Sequence, residues 1–155
     1  MCIRDRVLYY SASTFSPPIV FEVYAEGTNP STAGAGASEV GMGINSGTSF
    51  SGNNFWLSRI ASNTWNYWMD SSSYAAGSMN LNTFYVFGVA SSGSSTMLYV
   101  YGSGVYYYNI STAAFPSSFY ILPVDIDANS IQVVYWARIR SVSYTHLTLP
   151  TILRV

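Results

Sequence analysis

The sequence predicts an all-β protein built as a two-sheet antiparallel β-sandwich. Apolar residues alternate with polar ones in short runs that Gly, Ser, Asn and Pro interrupt, a pattern typical of sandwiches and barrels. No long stretch repeats its apolar residues with the period of a helix. Roughly nine such runs lie between residues 7 and 140, which is enough strands for two packed sheets.

The first predicted strand spans residues 19–26 and separates apolar from polar side chains on its two faces. The two sets are Phe21, Val23 and Ala25 on one face, and Glu22, Tyr24 and Glu26 on the other. Three further strands are predicted at residues 39–45, 54–61 and 64–70. The last two are separated by two turn-forming residues and should form a hairpin.

The second half of the chain predicts the remaining strands. Residues 82–90 are mostly apolar, so we expect this strand in the middle of a sheet. Residues 96–110 predict a second hairpin, which turns at Gly102-Ser103-Gly104. The last two strands are predicted at residues 117–124 and 130–140.

We expect strand 19–26 to lie antiparallel beside strand 131–140 in one sheet. The inner side of the closing strand would then hold Val133, Tyr135, Ala137 and Ile139. The outer side would bring four charged residues together: Glu22, Glu26, Arg138 and Arg140. Cross-strand charge pairs of this kind each stabilise a sheet by a few tenths to about 1 kcal/mol.

The two ends of the chain differ from the rest. Residues 1–6 and about 141–155 resemble translated sequencing-adapter DNA: the run MCIRD follows one strand of a transposase adapter, and VSYTHLTLPT follows the complementary strand. These ends hold the only cysteine and the only histidine of the chain, Cys2 and His146. The resemblance implies that the natural domain covers residues 7–140 and is a fragment of a longer protein.

The composition between residues 7 and 140 excludes several classes of function. This part has no Cys, His or Lys, and its acidic residues outnumber its arginines. It lacks the basic patch that nucleic-acid binding needs, so we expect no nucleic-acid partner. It also has no apolar run long enough to cross a bilayer, so we expect no membrane insertion of this fragment. Its abundant uncharged polar residues favour an extracellular or cell-surface protein.

Three segments between residues 14 and 140 carry the features of a known family. The hairpin TMLYVYGSGVYYYNIS contains Tyr-x-x-Gly, the closing strand SIQVVYWARIR contains Trp-x-Arg-x-Arg, and FSPPIVFEVYAE forms an early strand. These segments resemble concanavalin A-like (laminin-G-like) lectin and glucanase domains, with Tyr135 standing where relatives often carry Asp. The resemblance implies a jelly-roll sandwich whose members bind glycans, hydrolyse them or form surface modules.

Aromatic side chains are the candidate carbohydrate-binding residues, because flat rings can stack on sugar rings. We assign this role to five residues: Trp65, Tyr67, Trp68, Tyr106 and Tyr108. In the run TWNYWMD, Trp65 and Tyr67 point to one side and Trp68 to the other, so one set must belong to the core. The alternative is that most of these rings fill or cover the sandwich, since Tyr and Trp favour strands in any case.

Glu22 and Glu26 are the candidate catalytic residues of an alternative function. Retaining glycosidases place two carboxyl groups about 5 Å apart, and glucanases of the family named above carry Glu-x-Asp-x-Glu on one strand. In this chain Tyr24 replaces the central Asp. Residues 7–140 also contain no His, Cys or Lys that would activate a hydroxyl nucleophile. We therefore expect no catalytic residues.

Asp125, Asp127 and Asn129 form the alternative metal site. They place oxygen-bearing side chains at alternate positions, as calcium-binding loops do. The run lacks the Gly that should follow them, and Trp136 stands where a closing Glu is expected. We therefore expect a turn here, without a metal or another cofactor, and keep calcium as the alternative.

These patterns favour a non-catalytic β-sandwich module with a glycan-binding or adhesive and structural role in a secreted or cell-surface protein. The expected partner is a glycan or another surface protein. Two alternatives remain open, because one fold supports several functions. The first is a divergent glycoside hydrolase that uses Glu22 and Glu26. The second is a structural module of an extracellular filament or a virus particle.

Overall fold

The computed structural model describes residues 13–28, 40–46, 55–61, 64–69, 72–113, 115–125 and 131–141. The two adapter-like segments, residues 1–6 and about 141–155, lie outside these ranges except for Ser141, and so do Asp127 and Asn129. The domain boundaries predicted at residues 7 and 140 therefore stay a prediction.

The described residues form ten β-strands and no helix. The strands are β1 (Ile19–Thr28), β2 (Val40–Asn45), β3 (Phe55–Ala61), β4 (Thr64–Met69), β5 (Ser72–Ser78), β6 (Tyr85–Ser91), β7 (Thr96–Gly102), β8 (Val105–Ser111), β9 (Tyr120–Asp125) and β10 (Ile131–Ser141). The part of the chain that the structure describes thus holds no helix long and apolar enough to cross a membrane.

The strands form two five-stranded antiparallel sheets, which confirms the predicted β-sandwich. The first sheet has the order β10-β1-β6-β7-β8, and the second has the order β5-β4-β3-β2-β9. We call them the β1 sheet and the β2 sheet. The apolar strand β6 lies in the middle of its sheet, as predicted, and β7 and β8 form the predicted hairpin, with positive φ at Gly102, Ser103 and Gly104.

β5 is the strand that the sequence pattern fails to predict. Its sequence, SSYAAGS, consists mainly of small and polar residues without a clear apolar alternation. β5 forms one edge of the β2 sheet, where it pairs with β4. An edge strand needs less apolar surface than a central one, so the usual strand signal is weak here.

Tyr107 of β8 joins the two sheets at one side of the sandwich. Its hydroxyl donates a hydrogen bond to the carbonyl of Ser78 at 3.2 Å and accepts one from the backbone N–H of Ser78 at 3.1 Å. The ring lies over Gly77, where an added Cβ would come within 2.4 Å of the ring atoms. Gly77 also has a φ of 79°, so a glycine suits both the backbone and the close approach.

The hydrophobic core lies between the sheets and is built from alternate residues of the strands. Its members include Phe21, Val23, Ala25, Tyr85, Phe87, Leu98 and Val100 from the β1 sheet, and Ile44, Trp65, Tyr67 and Ile121 from the β2 sheet. Phe21, Val23 and Ala25 are buried, as predicted. Full burial of a large apolar side chain contributes about 1.5–3 kcal/mol, so this layer supplies most of the drive for packing.

The structure corrects the predicted inner side of β10. β10 pairs antiparallel with β1, as expected, but Val133, Tyr135 and Ile139 are 41%, 76% and 42% exposed. Ala137 is exposed as well. β10 is the edge strand of the β1 sheet, so residues on its inner side can remain open to solvent even where they face inward.

A β-bulge supplies the other part of the reason. Tyr24 lies opposite Trp136, whereas the next residue, Ala25, lies opposite Val134. Tyr135 is therefore an extra residue in β10, and the inward and outward positions change places beyond it. Strict alternation, which the prediction assumed, places Val133 on the wrong side.

Candidate functional site

The outer face of the β1 sheet carries three rows of side chains that cross all five strands. The central row holds Arg138, Glu22, Gly88, Tyr99 and Tyr108, in order from β10 to β8. The row on one side holds Trp136, Tyr24, Val86, Tyr101 and Tyr106, and the row on the other side holds Arg140, Val20, Ala90, Met97 and Ile110. We call these positions the outer face.

Glu22 is the centre of a bonded network on the outer face. Its side chain is only 5% exposed, and both carboxylate oxygens accept hydrogen bonds. Oε2 accepts from Arg138 Nε at 2.5 Å and from Arg140 Nη2 at 3.1 Å. Oε1 accepts from the Tyr99 hydroxyl at 2.9 Å. A buried carboxylate needs such partners, because its desolvation is costly otherwise.

Gly88 makes room for the Tyr99 ring in this network. Tyr99 belongs to β7 and reaches Glu22 on β1 by crossing the intervening strand β6 over Gly88. A Cβ added to Gly88 would lie 2.1 Å from Cζ of Tyr99. The bond between Tyr99 and Glu22 therefore depends on a residue without a side chain at position 88.

The tyrosine hydroxyls of the network are held in their neutral form. Burial raises the pKa of Tyr99 strongly, and the negative charge of Glu22 adds to this shift. Burial also raises the pKa of Tyr101, again with a contribution from Glu22. The charge of Arg138 and a hydrogen bond with it lower the pKa of Tyr101 in part. At neutral pH both phenols are therefore hydrogen-bonding groups and not bases.

Aromatic rings occupy both ends of the outer face. At the β10 end, Trp136 stacks on Tyr24 with ring centroids 5.6 Å apart, and Cζ of Arg138 lies 4.8 Å from the centroid of the Trp136 ring. At the β8 end, the rings of Tyr106 and Tyr108 lie 5.6 Å apart. These two tyrosines are 53% and 54% exposed, so they present a ring surface to solvent.

Trp65 and Tyr67, two of the predicted carbohydrate-binding residues, belong to the core. They are 1% and 7% exposed. Trp65 stacks on Tyr107 at 6.1 Å, and Tyr67 stacks on Tyr74 at 5.2 Å. The Tyr67 hydroxyl accepts a hydrogen bond from Asn109 Nδ2 at 2.6 Å. This corrects their assignment to a sugar-binding surface: they are the inward set of β4, and their rings pack on other rings.

The remaining predicted residues have different placements. Tyr106 and Tyr108 lie together on the outer face, and their contact with sugar stays a prediction. Trp68 belongs to β4, but its side chain lies outside the described part. The same holds for Asp125, the last residue of β9. No group of His, Cys, Asp and Glu side chains suited to a metal occurs among the described residues, and calcium at Asp125, Asp127 and Asn129 stays untested.

The structure separates the two glutamates that form the alternative catalytic pair. Glu26 lies on the outer side of β1, four residues beyond Glu22, which is about 13 Å along a strand. Tyr24 lies between them. Arg138 and Arg140 pair with Glu22 rather than Glu26. Of the predicted charge cluster, the structure thus brings together three members and leaves Glu26 at a distance.

Sequence reasoning missed Gly88, Tyr99 and Tyr101 as members of the outer face, although each left a signal. A single Gly inside an apolar strand indicates a close approach by another group, and Gly88 lies within the run YVFGVAS. The alternation in TMLYVYG places Tyr99 and Tyr101 on one side.

Comparisons with known proteins bear on the fold. No protein-family model matches the chain, and no curated protein does. A functionally unknown protein from Saccharomyces cerevisiae has a solved structure with a TM-score of 0.60 and 7% identity, over 89% of this chain and 75% of that one. A GH43 protein from Bacillus licheniformis has a TM-score of 0.56 and 9% identity, over 80% and 27% of the two chains.

The carbohydrate-binding module CBM66 from Bacillus subtilis is also similar in structure. It has a TM-score of 0.55 and 13% identity, and the match covers 89% of this chain and 84% of that one. At identities this low, the likeness shows a shared fold and gives no information on the ligand or the activity of this chain. The chain is therefore similar to β-sandwich proteins that include a carbohydrate-binding module and a GH43 protein.

Proposed function

We propose that the chain is a non-catalytic glycan-binding or adhesive module of a secreted or cell-surface protein, and that the outer face holds the glycan. The observation that carries this proposal is the pair Tyr106 and Tyr108, each more than half exposed, with ring centroids 5.6 Å apart. Exposed aromatic rings that are amphipathic and rigid suit the binding of sugar rings. The central row from Arg138 to Tyr108 spans roughly 19 Å across the strands, which is room for an oligosaccharide.

The bonded network supports binding over hydrolysis. A nucleophilic carboxylate must be able to reach the sugar, whereas Glu22 is buried and bonded through both oxygens to Tyr99, Arg138 and Arg140. The same bonds hold the middle of the outer face in one arrangement. A surface that is organised before the ligand arrives loses less entropy on binding. The fold-level likeness to CBM66 is consistent with this proposal.

The test is a binding assay of the full chain against a panel of soluble and insoluble polysaccharides. The double variant Tyr106→Ala/Tyr108→Ala should weaken binding to the retained polysaccharide at least roughly tenfold, because two ring contacts are lost. Tyr74→Ala is the matched control: Tyr74 is also exposed, at 48%, but it lies on β5 of the other sheet. Melting curves should show that each variant is folded.

Three outcomes would contradict the proposal. In the first, the double variant binds every polysaccharide as tightly as the unmodified chain. In the second, the unmodified chain binds none of them. The third is hydrolysis of a β-glucan that disappears in Glu22→Gln or Glu26→Gln. This third outcome would support the alternative glycoside hydrolase, since loss of either carboxylate abolishes a retaining mechanism.

A further inference from the structure

Arg138 and Arg140 share one carboxylate on the outer face. Both donate to the same oxygen, Oε2 of Glu22. The Glu22 side chain is 5% exposed, whereas the side chains of the two arginines are 47% and 57% exposed. One carboxylate balances one guanidinium group, so this cluster keeps an excess positive charge, and that charge is the part open to solvent.

The two guanidinium groups have donors to spare. Each guanidinium carries five N–H donors in a planar fork. Each uses one nitrogen on Glu22, and Arg138 also bonds Tyr101, which leaves further N–H groups on both. The Trp136 ring covers Arg138 at 4.8 Å, which restricts the plane of its guanidinium group. An arginine fixed in this way can present two parallel N–H groups to an incoming anion.

The rest of the β1 sheet does not neutralise this charge. β6, β7 and β8 contain no charged residue. Glu26, the other acidic residue of β1, lies about 13 Å along the strand from Glu22. That distance exceeds the Debye length of about 8 Å at physiological ionic strength. The β10 end of the outer face is therefore positive in the part of this sheet that the structure describes.

We infer that the ligand of the outer face is an acidic glycan, whose carboxylate or sulfate group binds Arg138 and Arg140. This inference rests on the proposed function and gives its ligand a chemical class. Both anionic groups offer pairs of oxygens that match the planar guanidinium fork. Arg138 and Tyr108 lie at opposite ends of the central row, so one chain can place its anion on the arginines and a more distant ring on the tyrosines.

The experiment compares polymers that differ in charge and share a backbone. Affinity of the full chain is measured for polygalacturonate, for the same polymer after reduction of its carboxyl groups to alcohols, and for dextran sulfate beside uncharged dextran. We expect the reduced polymer to bind at least tenfold more weakly than polygalacturonate. Arg140→Gln should weaken binding to the acidic polymer about tenfold, through the loss of a charged hydrogen bond. Arg140→Lys should retain part of the affinity, because it keeps the charge.

Each outcome separates the inference from the proposed function. Equal affinity for polygalacturonate and its reduced form, together with equal affinity for dextran sulfate and dextran, would overturn the inference and leave glycan binding intact. If the chain bound dextran sulfate but neither dextran nor polygalacturonate, the result would support the inference and assign the anion as sulfate. The inference would also be overturned if Arg138→Gln and Arg140→Gln bound the acidic polymers with the same affinity as the unmodified chain. Failure to bind any polysaccharide would refute the proposed function as well. The polymer comparison uses the unmodified chain, so it decides the question even if an arginine variant fails to fold.

Discussion

On the inner face of the β1 sheet, Phe87 and Leu98 are fully buried among other apolar side chains. On the outer face, Glu22 and Tyr99 are buried and bonded to each other, and Glu22 is also bonded to Arg138 and Arg140. Both faces use the same strands, because successive residues of a strand point to opposite sides. Dispersion and hydrophobic contact are not directional, but hydrogen bonds are. The two faces should therefore respond differently to substitution.

The inner face should depend on volume and the outer face on particular atoms. A core tolerates a change of shape when the buried volume is kept. A hydrogen-bonded cluster does not tolerate the loss of one member, since the remaining polar groups are then buried without a partner. Neighbouring positions such as Phe87 and Gly88 make this contrast testable within two residues of one strand.

Truncation of the inner face should have the largest effect. Phe87→Ala removes a ring that is 0% exposed in the central strand, and it should lower the free energy of unfolding by about 3–5 kcal/mol through lost contact and a residual cavity. Urea denaturation measures this change. Phe87→Leu is the control and should cost less, because it keeps more of the volume. Equal losses in the two variants would show that volume does not govern this face.

Loss of the central carboxylate should have the next largest effect. Glu22→Gln keeps the size of the side chain but removes the charge that both arginines bind, so we expect a loss of about 2 kcal/mol in unfolding free energy. Glu26→Gln is the matched control on the same side of β1, where we expect a loss under about 1 kcal/mol. If denaturation curves show the same midpoint for both variants, the network around Glu22 contributes little to stability.

The close approach at Gly88 should show coupling between two outer-face residues. Gly88→Ala forces the Tyr99 ring away from β6 and breaks its bond to Glu22, which should cost about 1.5 kcal/mol. In a Tyr99→Ala background the same substitution should cost almost nothing, because Ala limits the unfolded chain more than Gly does. A double-mutant cycle measures the difference. Additive losses would mean that the ring does not oppose the new methyl group.

Alternation along the strands made most of the fold predictable. The central place of β6 and the hairpin turn at Gly102–Gly104 follow from local patterns, and the structure confirms them. The pairing of β1 with β10 was predicted from the opposite charges on the two strands, and the structure confirms it as well. The bulge at Tyr135 was not predictable. The residues on both sides of it are aromatic or β-branched, so the sequence pattern does not show where the register shifts. β5 was missed since an edge strand needs little apolar surface.

The site was less predictable than the fold, because it depends on which strands become neighbours. Glu22 and Tyr99 are distant in sequence and meet only because β6 lies between β1 and β7 and carries a glycine at the crossing point. Trp65 and Tyr67 were assigned to a surface on their chemistry alone. Alternation showed that one side of β4 must face the core, but it did not show which side.

The smallest predicted effect is a pH dependence that belongs to the outer face. Burial and the charge of Glu22 raise the pKa of Tyr99 in the folded chain, whereas a tyrosine in the unfolded chain ionises near pH 10. Below about pH 10 both states hold the phenolic proton, and the stabilisation is fully present. As the pH rises further, the unfolded chain loses this proton while the folded chain keeps it, so the unfolding free energy falls.

The difference in unfolding free energy between the unmodified chain and Tyr99→Phe should therefore shrink by about 1 kcal/mol between pH 8 and pH 11. Urea denaturation of both proteins across this range measures the difference, and the other tyrosines contribute to both. A constant difference up to pH 11 would show that Tyr99 ionises as readily in the folded chain as in the unfolded chain. That result would contradict a buried hydrogen bond between the Tyr99 hydroxyl and Glu22.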